Sequence, residues 1–186
     1  DNLFTLGEVF KEKGYEPIIR ATRAASRADR MRDALVVERS NIRHQLAALA
    51  DGKRVEIGFG EEKLIIPANV SDLDSALAEN PKATIVAGST DAGLRVNKQM
   101  RSISPVIFIG NLAALQTVSE TKDGLSVGAC VTYSQAYPYI AKEFPQMVEL
   151  WDRIGGEQVR NMGTIGGNVA NGSPIGDTPP ALIALG

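Results

Sequence analysis

The chain has 186 residues, a formal net charge of -2, 44% hydrophobic residues and 23% charged ones, the profile of a globular chain of one domain or one and a fraction. A chain this long buries a core without disulfides or metal, and one cysteine, Cys130, with one histidine, His44, excludes a Cys/His ligand set for zinc or an iron-sulfur cluster. No apolar run approaches the roughly 20 residues that span a bilayer, and Asp1-Asn2-Leu3-Phe4 lacks the basic start of a signal peptide, so a cytoplasmic protein without membrane contact is expected.

In chain order, the segment from Arg20 to Arg43 comes first, with seven arginines against three acidic residues. It has no aromatic residue for base stacking and no nucleic-acid motif, so a solvated helix or a linker lying on a partner is preferred over a nucleic-acid arm. Asn41 to Leu49 reads as a short capped helix that Asp51-Gly52 ends. Val55 to Phe59 and Lys63 to Ile66 form a hairpin around Gly60-Glu61-Glu62, stopped by Pro67. Ser71 to Asp74 caps a helix through Glu79, closed by Asn80-Pro81. Ala83 to Ala87 is a buried strand running into Gly88-Ser89-Thr90-Asp91-Ala92-Gly93, with a helix from Leu94. Pro105 to Ile109 and Leu125 to Ala129 are further strands, and Thr132 caps a helix over Tyr133 to Ala141. The fold class is therefore mixed α/β, or α+β, with topology open.

Two segments carry chemistry. In the loop after Ala87, Gly88 and Gly93 permit positive φ and close backbone approach, and Ser89 and Thr90 add hydroxyls to outward N-H groups, an arrangement suited to a diphosphate. It is neither a P-loop nor the G-x-G-x-x-G fingerprint, and a plain turn between strand and helix explains it equally well. Asp91 repels phosphate unless its carboxylate turns away. The second segment, Ile154 to Asp177, holds seven of the 18 glycines. Ile154, Val159, Met162, Ile165, Val169 and Ile175 recur among them, unlike a flexible linker, and Thr164, Asn168, Asn171 and Ser173 supply small polar groups for a polar planar ligand.

Thr84 to Val96 (TIVAGSTDAGLRV) followed by Gly155 to Asp177 (GGEQVRNMGTIGGNVANGSPIGD) resembles the FAD-binding domain of the molybdenum hydroxylases, and within that family the bacterial xanthine dehydrogenase small subunit, which carries FAD and iron-sulfur clusters. The resemblance covers Lys63 to Gly186 and implies the vanillyl-alcohol-oxidase-like (PCMH-type) fold. The first lobe is expected over about 60–120 and the start of a second, truncated lobe over about 121–186. It further implies that Ile85, Val86, Ala87, Gly88, Ser89, Thr90, Asp91 and Ala92 embrace the FAD diphosphate. Thr164 and the turn Ile165-Gly166-Gly167-Asn168 would line the flavin, and Asp177 stands where the family has an acidic residue on the ribose or adenosine part. Ile154 falls where relatives place an aromatic against the isoalloxazine, a departure from the family pattern.

Gly14 to Ala21 resembles the tail of the family's iron-sulfur domain, but no cysteine precedes it, so residues 1–22 are expected to be a remnant and 23–53 a basic linker with a short helix. Pro180 to Gly186 is an apolar, helix-like segment with nothing following to bury it. The chain is thus expected to be a fragment, a shortened form or a degenerate copy, with FAD in the 54–186 domain and [2Fe-2S] and molybdopterin elsewhere. The implied function is electron passage from [2Fe-2S] clusters to FAD and on to NAD+, beside a molybdopterin-binding large subunit, in a higher oligomer serving purine catabolism. The alternative is a non-catalytic module that assembles with partner subunits without FAD. No catalytic side chain and no metal ligand is expected, because the cofactor carries the chemistry. Cys130 reads as a buried small hydrophobe, His44 as a surface or partner contact, Trp151 as core. Gly167→Val is expected to abolish flavin retention while leaving the fold largely intact.

Overall fold

The computed structural model describes residues 16–27 and 34–185. The expectations resting on Asp1 to Tyr15, on 28–33 and on Gly186 lie outside the described residues. The chain divides into two compact units, Asp1–Asp51 and Gly52–Gly186.

The first unit contains helices α1 (Glu16–Arg27) and α2 (Ala34–Leu49). Glu16 in the first turn and Arg27 in the last match the helix dipole of α1, and Ile19 is buried. The arginine-rich stretch is therefore helical where described. Asn41 does not cap a short helix as expected. It sits inside α2, where Gln45 Nε2 donates to its Oδ1 at 3.4 Å. His44 is exposed.

The second unit opens with β1 (Val55–Phe59) and β2 (Glu62–Ile66), the expected antiparallel hairpin, with Glu62 recruited into the strand opposite Phe59. Helix α3 (Val70–Glu79) follows. Its N-cap is Asn69, whose side chain accepts from the Asp72 N-H at 2.9 Å, so Ser71 lies inside the helix rather than capping it. Strand β3 (Thr84–Val86), helix α4 (Ala92–Asn97) and strand β4 (Val106–Phe108) complete a sheet ordered β1-β2-β4-β3. Both β2 and β3 run parallel to β4. Ile65 and Ile107 share one face of this sheet and are fully buried with Ala76 of α3, while Leu73 and Leu77 pack against them.

Arg54 fastens α3 to the start of β1. Its Nε and Nη2 donate to one Asp72 carboxylate oxygen at 3.0 and 2.7 Å, and Nη1 pairs with Glu79 at the other end of the helix. The guanidinium, with the Ala68 N-H, holds the Asp72 carboxyl below the usual carboxylate range.

In a second sheet, β6 (Gly124–Val127), the strand expected over Leu125 to Ala129, pairs with β5 (Val118–Thr121), a strand not expected from the sequence. Helix α5 (Tyr133–Glu143) starts as expected at Thr132, in a full capping box with Gln135. It is followed by α6 (Val148–Arg153), α7 (Glu157–Met162), α8 (Ile165–Asn171) and α9 (Thr178–Leu185). Val131, Tyr133, Ala136, Ile140, Trp151 and Ile154 form this region's core. Trp151 sets its ring edge-on to Tyr133 at 5.5 Å between centroids and donates from Nε1 to the Tyr133 carbonyl at 3.0 Å. In α9, Ala181 is buried and Ile183 is 80% exposed. Among the described residues, no helix is long and apolar enough to cross a membrane and no group of three or more His, Cys, Asp or Glu is placed to hold a metal.

Candidate functional site

The carboxyl end of parallel strand β3 delivers the chain into a cavity of about 820 Å³, the position at which open α/β sheets receive ligands. One wall is the strand end and loop, Ile85 to Ala92. The other comes from Ile154 and Gly155, from Thr164 with Gly166, Gly167 and Asn168, and from Ser173 with Ile175, Gly176 and Asp177. Two glycine-bearing segments far apart in sequence therefore face one space. Of the fifteen residues expected at the site, fourteen line it, and Ile165 does not. Ile165 is turned into the protein, where it packs against the core around Trp151 and its amide donates to the Val131 carbonyl at 3.0 Å.

The loop wall is built by close packing. Gly88 is needed for space rather than for its φ, because a Cβ there would overlap the carbonyl of Met162 at the end of α7. The positive φ of the loop, 62°, falls on Ser89. Among the described residues, no acceptor is found for the backbone N-H groups of Gly88, Ser89, Thr90, Asp91 and Ala92. The first hydrogen-bonded amide after them is that of Gly93, which donates to the Ser89 carbonyl at 2.9 Å. Such a run of unpaired donors beside a cavity is suited to the oxygens of an anion. Asp91, the residue that would oppose a phosphate, has its carboxylate engaged by Asn171 Nδ2 across the cavity.

The opposite wall is held from behind. Thr164 accepts the Gly167 N-H at 3.1 Å as N-cap of α8, so Ile165-Gly166-Gly167-Asn168 is the first turn of a helix and not a loop turn. A Cβ at Gly167 would lie 2.6 Å from Thr164 Oγ1, and one at Gly166 would lie 2.6 Å from the Ala129 backbone. Gly167→Val therefore meets the cap of α8 as well as the cavity. Asn168 Oδ1 accepts from the Thr178 N-H at 3.1 Å, positioning Asp177. Behind it, the Tyr133 hydroxyl meets Thr178 Oγ1 at 2.6 Å. Burial pushes the Tyr133 phenol up, the Thr178 bond acts against that shift, and the charge of Asp177 adds to it.

Sequence reasoning misses two lining residues of consequence. Arg95 is the cationic side chain among the lining residues and follows Asp91 by one helical turn, a spacing that could signal it. Tyr133 reads from sequence as the start of a helix only. Cys130 is buried as expected. Burial pushes its thiol up, and Sγ contacts the Ile109 carbonyl at 3.4 Å.

Sheet, loop and cavity define an α/β ligand-binding domain with an anion-receptive strand end. Residues 57–186 match the family model described as the FAD binding domain in molybdopterin dehydrogenase, and the chain belongs to that family. The chain is 32% identical over 120 residues to the putative xanthine dehydrogenase FAD-binding subunit of Escherichia coli K12, covering 62% of this chain and 41% of that one. It is 31% identical over 121 residues to the nicotine 6-hydroxylase medium subunit of Paenarthrobacter nicotinovorans, covering 64% and 43%. Among solved structures, the cyanide-inactivated Cu,Mo-CO dehydrogenase superposes with a TM-score of 0.63 at 25% identity, over 70% of this chain and 46% of that one. The carbon monoxide dehydrogenase of Hydrogenophaga pseudoflava, in a form lacking the Mo-pyranopterin moiety, superposes at 0.60 and 25% identity, over 70% and 45%. The chain spans less than half the length of the E. coli and P. nicotinovorans subunits. The fold is that of the family's FAD-binding region, and FAD is the cofactor of its domain.

Proposed function

We propose that the Gly52–Gly186 unit holds FAD in this cavity and serves as the electron-transfer domain of a xanthine-dehydrogenase-type molybdenum hydroxylase. In that reading it stands between [2Fe-2S] clusters and NAD+, beside a molybdopterin-binding large subunit, in a cytoplasmic higher oligomer that works in purine catabolism. The domain limits within the chain are proposed as 1–22 for an iron-sulfur domain remnant, 23–53 for a linker and 54–186 for the flavin domain. The observation that carries the proposal is the run of unpaired N-H groups from Gly88 to Ala92, residues that line the same cavity as Thr164, Gly166, Gly167, Asn168 and Asp177.

The residues present fit the group. The cavity volume lies within the roughly 300–1,000 Å³ range of small-molecule sites, and the five open donors match the oxygens of a diphosphate. FAD, when bound, supplies one- and two-electron redox chemistry. The protein's part is to bind and orient. The Gly88–Ala92 amides and Arg95 neutralise the diphosphate, Asn171 keeps the Asp91 carboxylate engaged, and Asp177 accepts hydroxyls of the ribose. Ile154, Thr164, Gly166, Gly167 and Asn168 form the surface for the ring system. No side chain needs to act as nucleophile or proton carrier.

Titration of the full chain with FAD tests the proposal. Retained yellow flavin is expected, and at a hundredfold excess over Kd the folded state gains about 2.7 kcal/mol, read as a rise in melting temperature. A colourless protein whose melting temperature ignores excess FAD would overturn it in favour of the assembly module without flavin.

A further inference from the structure

Behind the cavity, Arg160 of α7 donates from Nη1 to three carbonyl oxygens, those of Asp152 at 3.0 Å, Ile154 at 3.3 Å and Gly155 at 2.8 Å. These carbonyls belong to the end of α6 and the turn that follows, where a helix leaves acceptors without internal partners and where positive charge is favoured. The turn is not an ordinary one. Gly155 has φ +54, a conformation other residues rarely adopt, and a Cβ there would lie 3.0 Å from Val159, one residue before Arg160. Ile154 is 4% exposed, and both it and Gly155 line the cavity while Arg160 does not. One guanidinium therefore converges three carbonyl dipoles that would otherwise repel one another and fixes the two cavity-facing residues from the rear.

We infer that Arg160 is a positioning residue for the ligand, setting the Ile154–Gly155 wall against which the bound molecule lies. The inference rests on the FAD reading for the identity of that molecule. Lysine also gathers its donors on one nitrogen, as Nη1 does here, but its shorter stem and more strongly hydrated ammonium let it restore the function only in part.

The experiment uses the full chain, wild type and two variants, titrated with FAD, with amide hydrogen exchange followed in the absence of FAD. For Arg160→Ala the FAD Kd is expected to rise about tenfold, the scale of losing a charge-assisted hydrogen-bond set. Millimolar guanidinium chloride restores affinity and equal sodium chloride does not. The Ile154 amide, which donates to the Trp151 carbonyl at 3.2 Å, exchanges faster in the variant. Arg160→Lys, the variant to use if the alanine protein does not fold, is expected to be weakened about threefold, roughly half the alanine effect in free energy. An FAD Kd equal to wild type in the variant that folds, or loss of affinity in Arg160→Ala that guanidinium does not restore, would overturn the inference. A wild type that binds no FAD overturns the functional reading instead, and the exchange of the Ile154 amide then decides alone whether Arg160 holds the wall, unchanged exchange refuting it.

Discussion

The two walls of the cavity use backbone amides in opposite ways. In the Ile154–Asp177 wall, where glycine is dense, the amides of Gly163 and of Ile165 to Asn168 are consumed internally. Gly163 donates to Val159, Ile165 to Val131, Gly166 to Ala129, Gly167 to Thr164 Oγ1 and Asn168 to the Thr164 carbonyl. In the Gly88–Ala92 loop, where glycine is sparse, five consecutive amides have no partner among the described residues. At Gly163 and Gly166 glycine marks where backbone packs on backbone, while the loop opposite keeps its donors open. The loop wall offers open amides, and the segment from Gly163 to Asn168 offers a surface held from behind.

The largest test of this division is Gly88→Ala. The new methyl would overlap the Met162 carbonyl, and overpacking against main chain costs about 1–3 kcal/mol, so denaturant midpoints fall and FAD binding is lost together. Equal stability to wild type would show that the two walls are not in tight contact. Gly166→Ala against Gly167→Ala separates packing from capping within the supporting wall. The first meets the Ala129 backbone and is expected to cost about 1–3 kcal/mol. The second meets only the Thr164 hydroxyl and is expected to cost about 1 kcal/mol, the scale of a weakened N-cap. Reversal of that order in thermal melts would break the comparison.

Asn171→Ala removes a contact between the two walls. It releases the Asp91 carboxylate beside the open amides, and FAD affinity is expected to drop about fivefold, roughly 1 kcal/mol, more at low salt than at high. Asp91→Ala in the same chain restores affinity, and a double variant as weak as Asn171→Ala would refute this role.

The smallest effect concerns the sheet beneath the loop. The Asp72 carboxyl is depressed by Arg54, so its contribution to stability is complete above the ordinary aspartate value of about 3.9. That contribution is lost as pH falls through the lower folded-state value. Arg54→Leu should flatten this acid limb in melts between about pH 5 and 2, the window in which a depressed carboxylate titrates. A limb as steep as that of wild type would assign it to other carboxylates.

Much of the fold is legible in the residues themselves. β-Branched Thr84-Ile85-Val86 announces β3, and Thr132 with Gln135 announces α5, because each signal is local. Strand β5, and with it the hairpin to β6, escapes because it is short and mostly unburied, although Asp123-Gly124 at the turn is a hairpin signal. Helix α8 escapes because its two glycines lower helix propensity and the Thr164 cap decides it, and α7 escapes because it is six residues long and its N-cap, Gly156, has no side chain to announce it. The residues lining the cavity are nearly all recoverable from the paired motifs. The division of labour between them is not, since which amides are spent depends on what lies behind each wall.

The contact between Gly88 and the Met162 carbonyl carries a kinetic consequence. The sheet β2-β4-β3 joins segments close in sequence, but the cavity exists only after the chain has closed the long loop from β3 to α7. Contacts of such separation form late and slowly. During refolding, secondary structure should therefore recover ahead of flavin capture, and the cofactor meets a chain whose sheet is already assembled.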